Sequence, residues 1–247
     1  MDRSLYIAMN GAKQTLLAQS ANANNLANTQ TAGFKADFEQ FRAMPAFGPG
    51  YPSRVYSMTE RPGSDMSSGT IHTTGRDLDV AINGNGWIAV RNPEGQEAYT
   101  RAGDLRITTE GLLQTGAGLN VLGEGGQPIT IPPAQKMEIG TDGTITIIPQ
   151  GANATNSVLV DRIKLVNPDP ATLEKGLDGL MHNKTGAASP ADANVTLAAG
   201  SLESSNVNAM AAMVELIELS RNFELQSKVM KDIDQVAGST AKLMQVA

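Results

Sequence analysis

The sequence predicts an α+β protein: a discontinuous helical coiled-coil unit drawn from both termini, with a mainly antiparallel β domain inserted between them. Three observations carry this. Apolar residues recur every three or four positions at each end of the chain, they alternate every second position in the middle, and the middle is punctuated by Gly-rich turns. The expected boundaries are residues 1–34 and 204–247 for terminal helices that pack together in an assembly, 35–75 for an extended connector, and 76–203 for the β domain.

The opening helix places Leu5, Met9, Ala12, Leu16, Gln19, Ala23 and Leu26 at spacings of 4, 3, 4, 3, 4 and 3, a heptad-like seam with one polar break at Gln19. Lys13 is the only charge between Ser4 and Phe34. A solvated helix face usually carries Lys and Glu, whereas this one carries Asn, Gln, Ser, Thr and Ala. Such a face suits close contact with protein, where hydrogen bonds are met without desolvating charge. The stretch "NANNLANTQTAGFKADF" then stops the helix with amides, small residues and Gly33 and marks the exit toward the β domain. Pro45, Pro49, Pro52 and Pro62 give the connector little expected regular structure.

In the β region, "DLDVAINGNGWIAV" reads strand, turn, strand, and the Gly-rich "GNG" and "GAG" read as hairpin turns. "KMEIGTDGTITIIP" holds an Asp-Gly turn between two strands, and "LVDRIKLVNP" reads as one further strand ended by Pro168. The closing helix places Ala209, Ala212, Leu216, Leu219, Phe223, Gln226, Met230, Ile233, Ala237, Thr240 and Met244 on one row. Leu225, Val229, Val236 and Leu243 form a second. A partner helix of about 25 residues cannot cover both rows of one nearly 40 residues and about 60 Å long, so further subunits are expected. An ordinary antiparallel helix pair within one chain stays open as the plainer reading.

Composition excludes several classes. A net charge of −6 leaves no nucleic-acid footprint, and no run of Lys and Arg exists to grip an anionic membrane. The absence of Cys removes disulfides, thiolate zinc sites and cysteine nucleophiles. No run of 18 apolar residues predicts membrane insertion, and the opening residues do not read as a cleavable signal peptide, so any exit from the cytoplasm is expected to read an uncleaved N-terminus. His72 and His182 lack metal-ligand spacing. Asp77 and Asp79 share a strand face as paired carboxylates could, but backbone or Arg76 are their expected partners. Trp87 reads as a core anchor. No catalytic, cofactor-binding or metal residue is expected, and no cofactor; the chain does not read as an enzyme.

"ANNLANTQTAGFKA" resembles the N-terminal signature of the flagellar axial proteins, the basal-body rod, the hook and their relatives, and "SSNVNAMAAMVELIELSRNFELQSKVMK" resembles the matching C-terminal signature. "TTGRDLDVAINGNGWIAV", "YTRAGDL" and "GLLQTGAGLNVLG" are similar to the inserted β domain of that family, so the resemblance spans essentially the whole chain. "MDRSLYIAM", "RPGSDMSSGTIHTTGRDLDVAI" and Trp87 look like its proximal-rod members; distal-rod members typically carry Phe-Phe where this chain has Trp87-Ile88, and hook proteins are much longer. The resemblance implies a structural subunit, exported unfolded by the flagellar type III apparatus. Its terminal helices would line a hollow, torque-transmitting rod that spans the periplasm, with the β domain outside. The implied partners are copies of itself and other rod proteins. The expected assembly interface is Leu5, Met9, Leu16, Leu26, Phe34, Leu216, Leu219, Phe223, Met230 and Ile233. The alternatives are a distal-rod protein, a ligand-binding or enzymatic β domain with helical oligomerisation arms, and an adhesin. The enzyme needs a cluster of titratable groups and the adhesin needs stalk repeats, and the sequence offers neither.

Overall fold

The computed structural model describes residues 3–45, 55–151 and 157–246. It divides into two compact units: a helical unit of Met1–Ala27, Asp37–Gly63 and Val207–Ala247, and a β unit of Asn28–Ala36 and Ser64–Asn206.

The helical unit contains α1 (Arg3–Ala27), β1 (Asp37–Pro45), β2 (Val55–Ser64) and α2 (Ala209–Val246). Asn208 caps α2: its side-chain oxygen accepts from the amides of Met210 and Ala211, groups a helix leaves unpaired. The helices run antiparallel. Asn22 Nδ2 donates to the Ala212 carbonyl at 2.9 Å, Gln19 Nε2 to Ser220 Oγ at 3.2 Å, and Gln226 Nε2 to Thr15 Oγ1 at 3.2 Å. The two faces are complementary in size. On α1 the buried residues are the small or polar Ala12, Thr15, Ala18 and Asn22; on α2 the matching face is the row Ala212, Leu216, Leu219, Phe223, Gln226, Met230 and Ile233. Gly11 belongs to this fit, since a Cβ there would press on the Gln226 side chain at 3.2 Å.

The connector differs from expectation. Little regular structure was expected over residues 35–75, yet β1 and β2 pair with each other there. Two paired strands are marginal alone in water, and the amides of α1 supply the missing anchorage. Asn10 Nδ2 donates to the Ser57 carbonyl at 2.7 Å, and Gln14 Oε1 accepts from the Thr59 amide at 2.9 Å. Asn25 and Asp37 exchange two bonds, Nδ2 to the Asp37 carbonyl at 2.9 Å and the Asp37 amide to Oδ1 at 3.0 Å. Pro45 closes β1 and Pro62 lies within β2; Pro49 and Pro52 lie outside the described residues.

The β unit contains β3 (Ile71–Thr73), β4 (Val80–Asn83), β5 (Trp87–Arg91), β6 (Glu97–Thr100), β7 (Leu105–Ile107), β8 (Leu113–Thr115) and β9 (Asn120–Val121). β10 (Ala134–Ile139), β11 (Thr144–Pro149), β12 (Val158–Arg162), β13 (Leu165–Val166), β14 (Leu173–Lys175), β15 (Met181–Asn183), β16 (Thr196–Ala199) and β17 (Ser201–Glu203) follow. The largest sheet runs β14-β15-β6-β5-β9-β8-β7, with β13 added to β5; β10-β11-β12, β16-β4 and β17-β3 form smaller sheets. The strand pairs of this unit are antiparallel. β5 is buried on both faces, which is why "WIAV" is continuously apolar: Ile88 and Val90 enter one core with Val80, Leu105 and Ile145, while Trp87 and Ala89 enter a second with Tyr99, Leu122 and Met181.

The Asp-Gly hairpin forms as expected, with Gly143 at φ 85° in the turn joining β10 and β11. "GAG" joins the paired β8 and β9. "GNG" does not make a hairpin: β4 pairs with β16, and β5 with β6, β9 and β13. Its shape is held instead by Arg101, which donates to the carbonyls of Gly84 at 2.8 Å and Gly86 at 3.0 Å. "LVDRIKLVNP" is two strands, because β12 pairs with β11 and β13 with β5. Between them, Ile163 is buried in the core and Lys164 reaches Glu97 at 2.8 Å.

Candidate assembly interface

The α1 face toward α2 uses small residues, so the large apolar residues of α1 point elsewhere. Met9 and Leu16 are 53% and 48% exposed, and Tyr6 and Leu17 accompany them. On α2 the second row lies open as well, with Leu225 at 60% and Val236 at 65%, joined by Val229 and, toward the start of the helix, by Met210, Met213, Val214 and Ile217. This is a long apolar stripe with polar neighbours, well beyond scattered exposed residues. At 1.5 Å per residue, α2 with 38 residues spans about 57 Å and α1 with 25 about 38 Å. A groove of about 470 Å³ at the α1 start is lined by Ile7, Ala8, Val55, Leu225, Val229 and Ile233.

The ten residues expected at an interface therefore occupy different settings. Leu219 is buried, and Leu216, Phe223, Met230 and Ile233 are half-buried on the row toward α1. Leu5 and Leu26 are half-buried on α1, and Met9 and Leu16 are exposed. Phe34 belongs to the β unit, half-buried, with Lys175 Nζ 3.9 Å from its ring centroid. Leu243 and Met244 carry no described side chain.

Residues that the sequence did not single out converge in the β unit. Lys35 Nζ lies 2.8 Å from Glu203 Oε1, and Arg101 Nη1 lies 3.0 Å from Glu203 Oε2. Lys35 also donates to the Ser67 carbonyl at 2.7 Å, and the Gly69 amide donates to Glu203 Oε1 at 2.9 Å. The Arg101 guanidinium sits 5.3 Å over the Trp87 ring. Burial pushes the Lys35 ammonium below its ordinary range; Glu203 opposes that shift and Arg101 adds to it. Gly33, at φ 66°, passes so close to the Arg101 backbone that any Cβ would collide with it. The two histidines do not meet. His72 is exposed on β3, and His182 bonds Asp178 at 2.9 Å. Asp79 is buried, accepting from Thr74 Oγ1 at 2.7 Å with Arg76 Nη2 2.9 Å away. Among the described residues, no group of three acidic or His side chains is arranged to hold a metal, and no helix is long and apolar enough to cross a membrane.

Residues 81–147 match the family described as the flagellar hook protein FlgE/F/G D1 domain, and residues 198–243 the family described as the flagellar basal body rod FlgEFG protein C-terminal. The chain is 38% identical to the flagellar basal-body rod protein FlgF of Escherichia coli K12, with 100% of both chains covered. It belongs to the flagellar basal-body rod FlgEFG family. The rod-family chain is also 35% identical to the FlgF of Caulobacter vibrioides over 98% of each chain. With the FlgG of Bacillus subtilis it shares 32% identity over 96% of this chain and 97% of that one. It is a structural protein of the flagellar basal-body rod and not an enzyme. The family regions cover most of β4–β11 and nearly all of α2, so the exposed stripe of α2 lies inside a rod-family segment.

Proposed function

We propose that the chain is a proximal-rod subunit. In this reading it passes unfolded through the flagellar type III export apparatus and assembles helically, through its terminal helices, with copies of itself and with other rod proteins. The product is a hollow shaft across the periplasm that carries motor torque toward the hook. The observation that carries the reading is the apolar stripe of the helical unit, exposed on both α1 and α2 of a single chain. Apolar surface left open on both helices of one chain fits heterologous contacts, which repeat without closing and so build a filament. Leu5, Leu26, Leu216, Leu219, Phe223, Met230 and Ile233 then serve the interface indirectly by fixing the helix pair, and Met9 and Leu16 meet neighbours directly. The likeness over the full length to proteins named FlgF favours the proximal position over the distal one.

Purified basal bodies carrying a tagged copy of this chain test the position by cryo-electron microscopy. Density at the end of the rod facing the export apparatus is the expected result. Density next to the hook would instead make the chain a distal-rod subunit, and its absence from the rod would end the assembly reading.

A further inference from the structure

The β unit contains a charge arrangement that rod assembly does not call on. Lys35 and Arg101 have side chains only 3% exposed, and they share one carboxylate, Glu203, which is 1% exposed. Three separate stretches of chain meet on this residue. The Gly33 amide donates to its backbone carbonyl at 2.8 Å, Lys35 and the Gly69 amide reach Oε1, and Arg101 reaches Oε2. Two cations face one anion, and the surplus positive charge is met by the carbonyls of Ser67, Gly84 and Gly86. Asp65 acts on Lys35 at longer range, with one of its oxygens taken by the Ser67 amide.

The order of these residues along the chain matters. Lys35 comes 168 positions before Glu203 and Arg101 comes 102 before it. β4 and β3 also wait for the end of the unit, since their partners are β16 and β17, the last two strands. We infer that Glu203 is the closing switch of the β unit: the fold cannot shut over Lys35 and Arg101 until the last strand delivers this one carboxylate. A buried cation without a counter-ion is prohibitive, so a chain that has positioned everything up to residue 200 still holds two cations in water. The carboxylate removes that obstacle in the same step that adds β17 to β3. Closure is therefore all-or-none, and a chain lacking its last strand stays open.

Trp87 is the only tryptophan and lies beneath Arg101, so its fluorescence reports closure of this unit in the full-length protein without signal from the helical unit. Urea titrations of the wild type, Glu203→Gln, Lys35→Met and the double variant form a cycle. Glu203→Gln is expected to lower the folded-to-unfolded ratio by about 100-fold or more. Lys35→Met is expected to lower the ratio in the wild type but to raise it, by about tenfold, in the Glu203→Gln background, because it removes one orphaned cation. A simple packing role predicts that both losses accumulate. A double variant less stable than Glu203→Gln overturns the proposal, as does a Glu203→Gln protein within about fivefold of the wild type. If Glu203→Gln fails to fold at all, folding of the double variant sustains the proposal, and its failure overturns it.

Discussion

The Tyr99 phenol lies inside the β unit, where its oxygen accepts from the Ser189 amide at 2.8 Å and its proton can reach Ser189 Oγ at 2.9 Å or Glu97 Oε1 at 3.1 Å. Burial raises its pKa above the ordinary 10.0; the bonds to Ser189 oppose the shift, and the Glu97 charge adds to it. In the unfolded chain the phenol ionises near its ordinary value, so above pH 10 the folded state binds more protons than the unfolded one. The stability from this group is whole below about pH 10 and is lost as pH rises through the raised value. Tyr99→Phe is predicted to lower stability by about 1 kcal/mol at pH 8, through lost hydrogen bonding, and to flatten the decline above pH 10. Urea midpoints followed by Trp87 fluorescence between pH 8 and 11 check both parts; an unchanged alkaline slope counts against it. Lys35 bends the curve the other way. Its pKa is depressed by burial, so the unfolded chain binds more protons between that lowered value and 10.5, and stability rises with pH there. In Lys35→Met that rise is expected to disappear over the same titration. Neither Lys35 nor Glu203 was legible as a buried charge in the sequence. A period of two gives two alternating faces without saying which is inside, and the polar set Ser201, Glu203 and Ser205 is the buried one here.

The two helices meet through unlike faces. The first apolar row of α2 is the face that meets α1, so its spacing translated directly into packing. The seam read on α1 includes Met9 and Leu16, expected at an assembly interface; the single chain leaves both exposed and turns Ala12, Thr15, Ala18 and Asn22 inward. A large row on one helix is best met by a small row on its partner, and a stripe of period 3.6 does not state which partner covers it. The paired strands β1 and β2 were hidden for a related reason. Prolines suggested an irregular connector, while the anchoring signal lay elsewhere, in the amides of Asn10, Gln14 and Asn25 on α1. Those amides also account for the unusual composition of the opening helix, which hydrogen-bonds strand backbone that charged side chains would not match. Asn25→Ala is predicted to free the start of β1 at a cost of about 1–2 kcal/mol, since two hydrogen bonds to Asp37 vanish together. Hydrogen exchange over Asp37–Met44 should accelerate by roughly tenfold while the Trp87 unfolding transition stays in place. Unchanged exchange would mean that the strands hold themselves together.

Across the whole chain, charge and apolar surface are divided between the two units. The helical unit has nine acidic and nine basic residues, whereas the β unit has 16 acidic and 10 basic, so the net charge of −6 resides in the β unit. Copies brought together in a filament bring like-charged β units into proximity, and salt screens that repulsion over about 10 Å at 0.1 M. Polymerisation of the purified chain, followed by light scattering, is therefore predicted to speed up between 20 mM and 200 mM NaCl; slowing with salt would point to charge pairing as the driving contact instead. The apolar side of this division is tested at Leu16. Its side chain is about half exposed in the single chain, so an aspartate there can keep its hydration and the monomer has little to lose. Leu16→Asp is predicted to change the thermal stability of dilute protein by no more than about 0.5 kcal/mol. In the filament proposed above the same position would face a neighbour, where an unpaired carboxylate would lose water without gaining a partner. The variant is expected to remain soluble and folded, fail to polymerise, and leave cells non-motile with rods that stop at the proximal segment. Glu94→Asp, on the exposed turn between β5 and β6, keeps charge and site and should swim normally. A Leu16→Asp strain that swims would show that α1 presents no packed face to its neighbours, and a variant that unfolds as a monomer would show that Leu16 belongs to the helix pair after all.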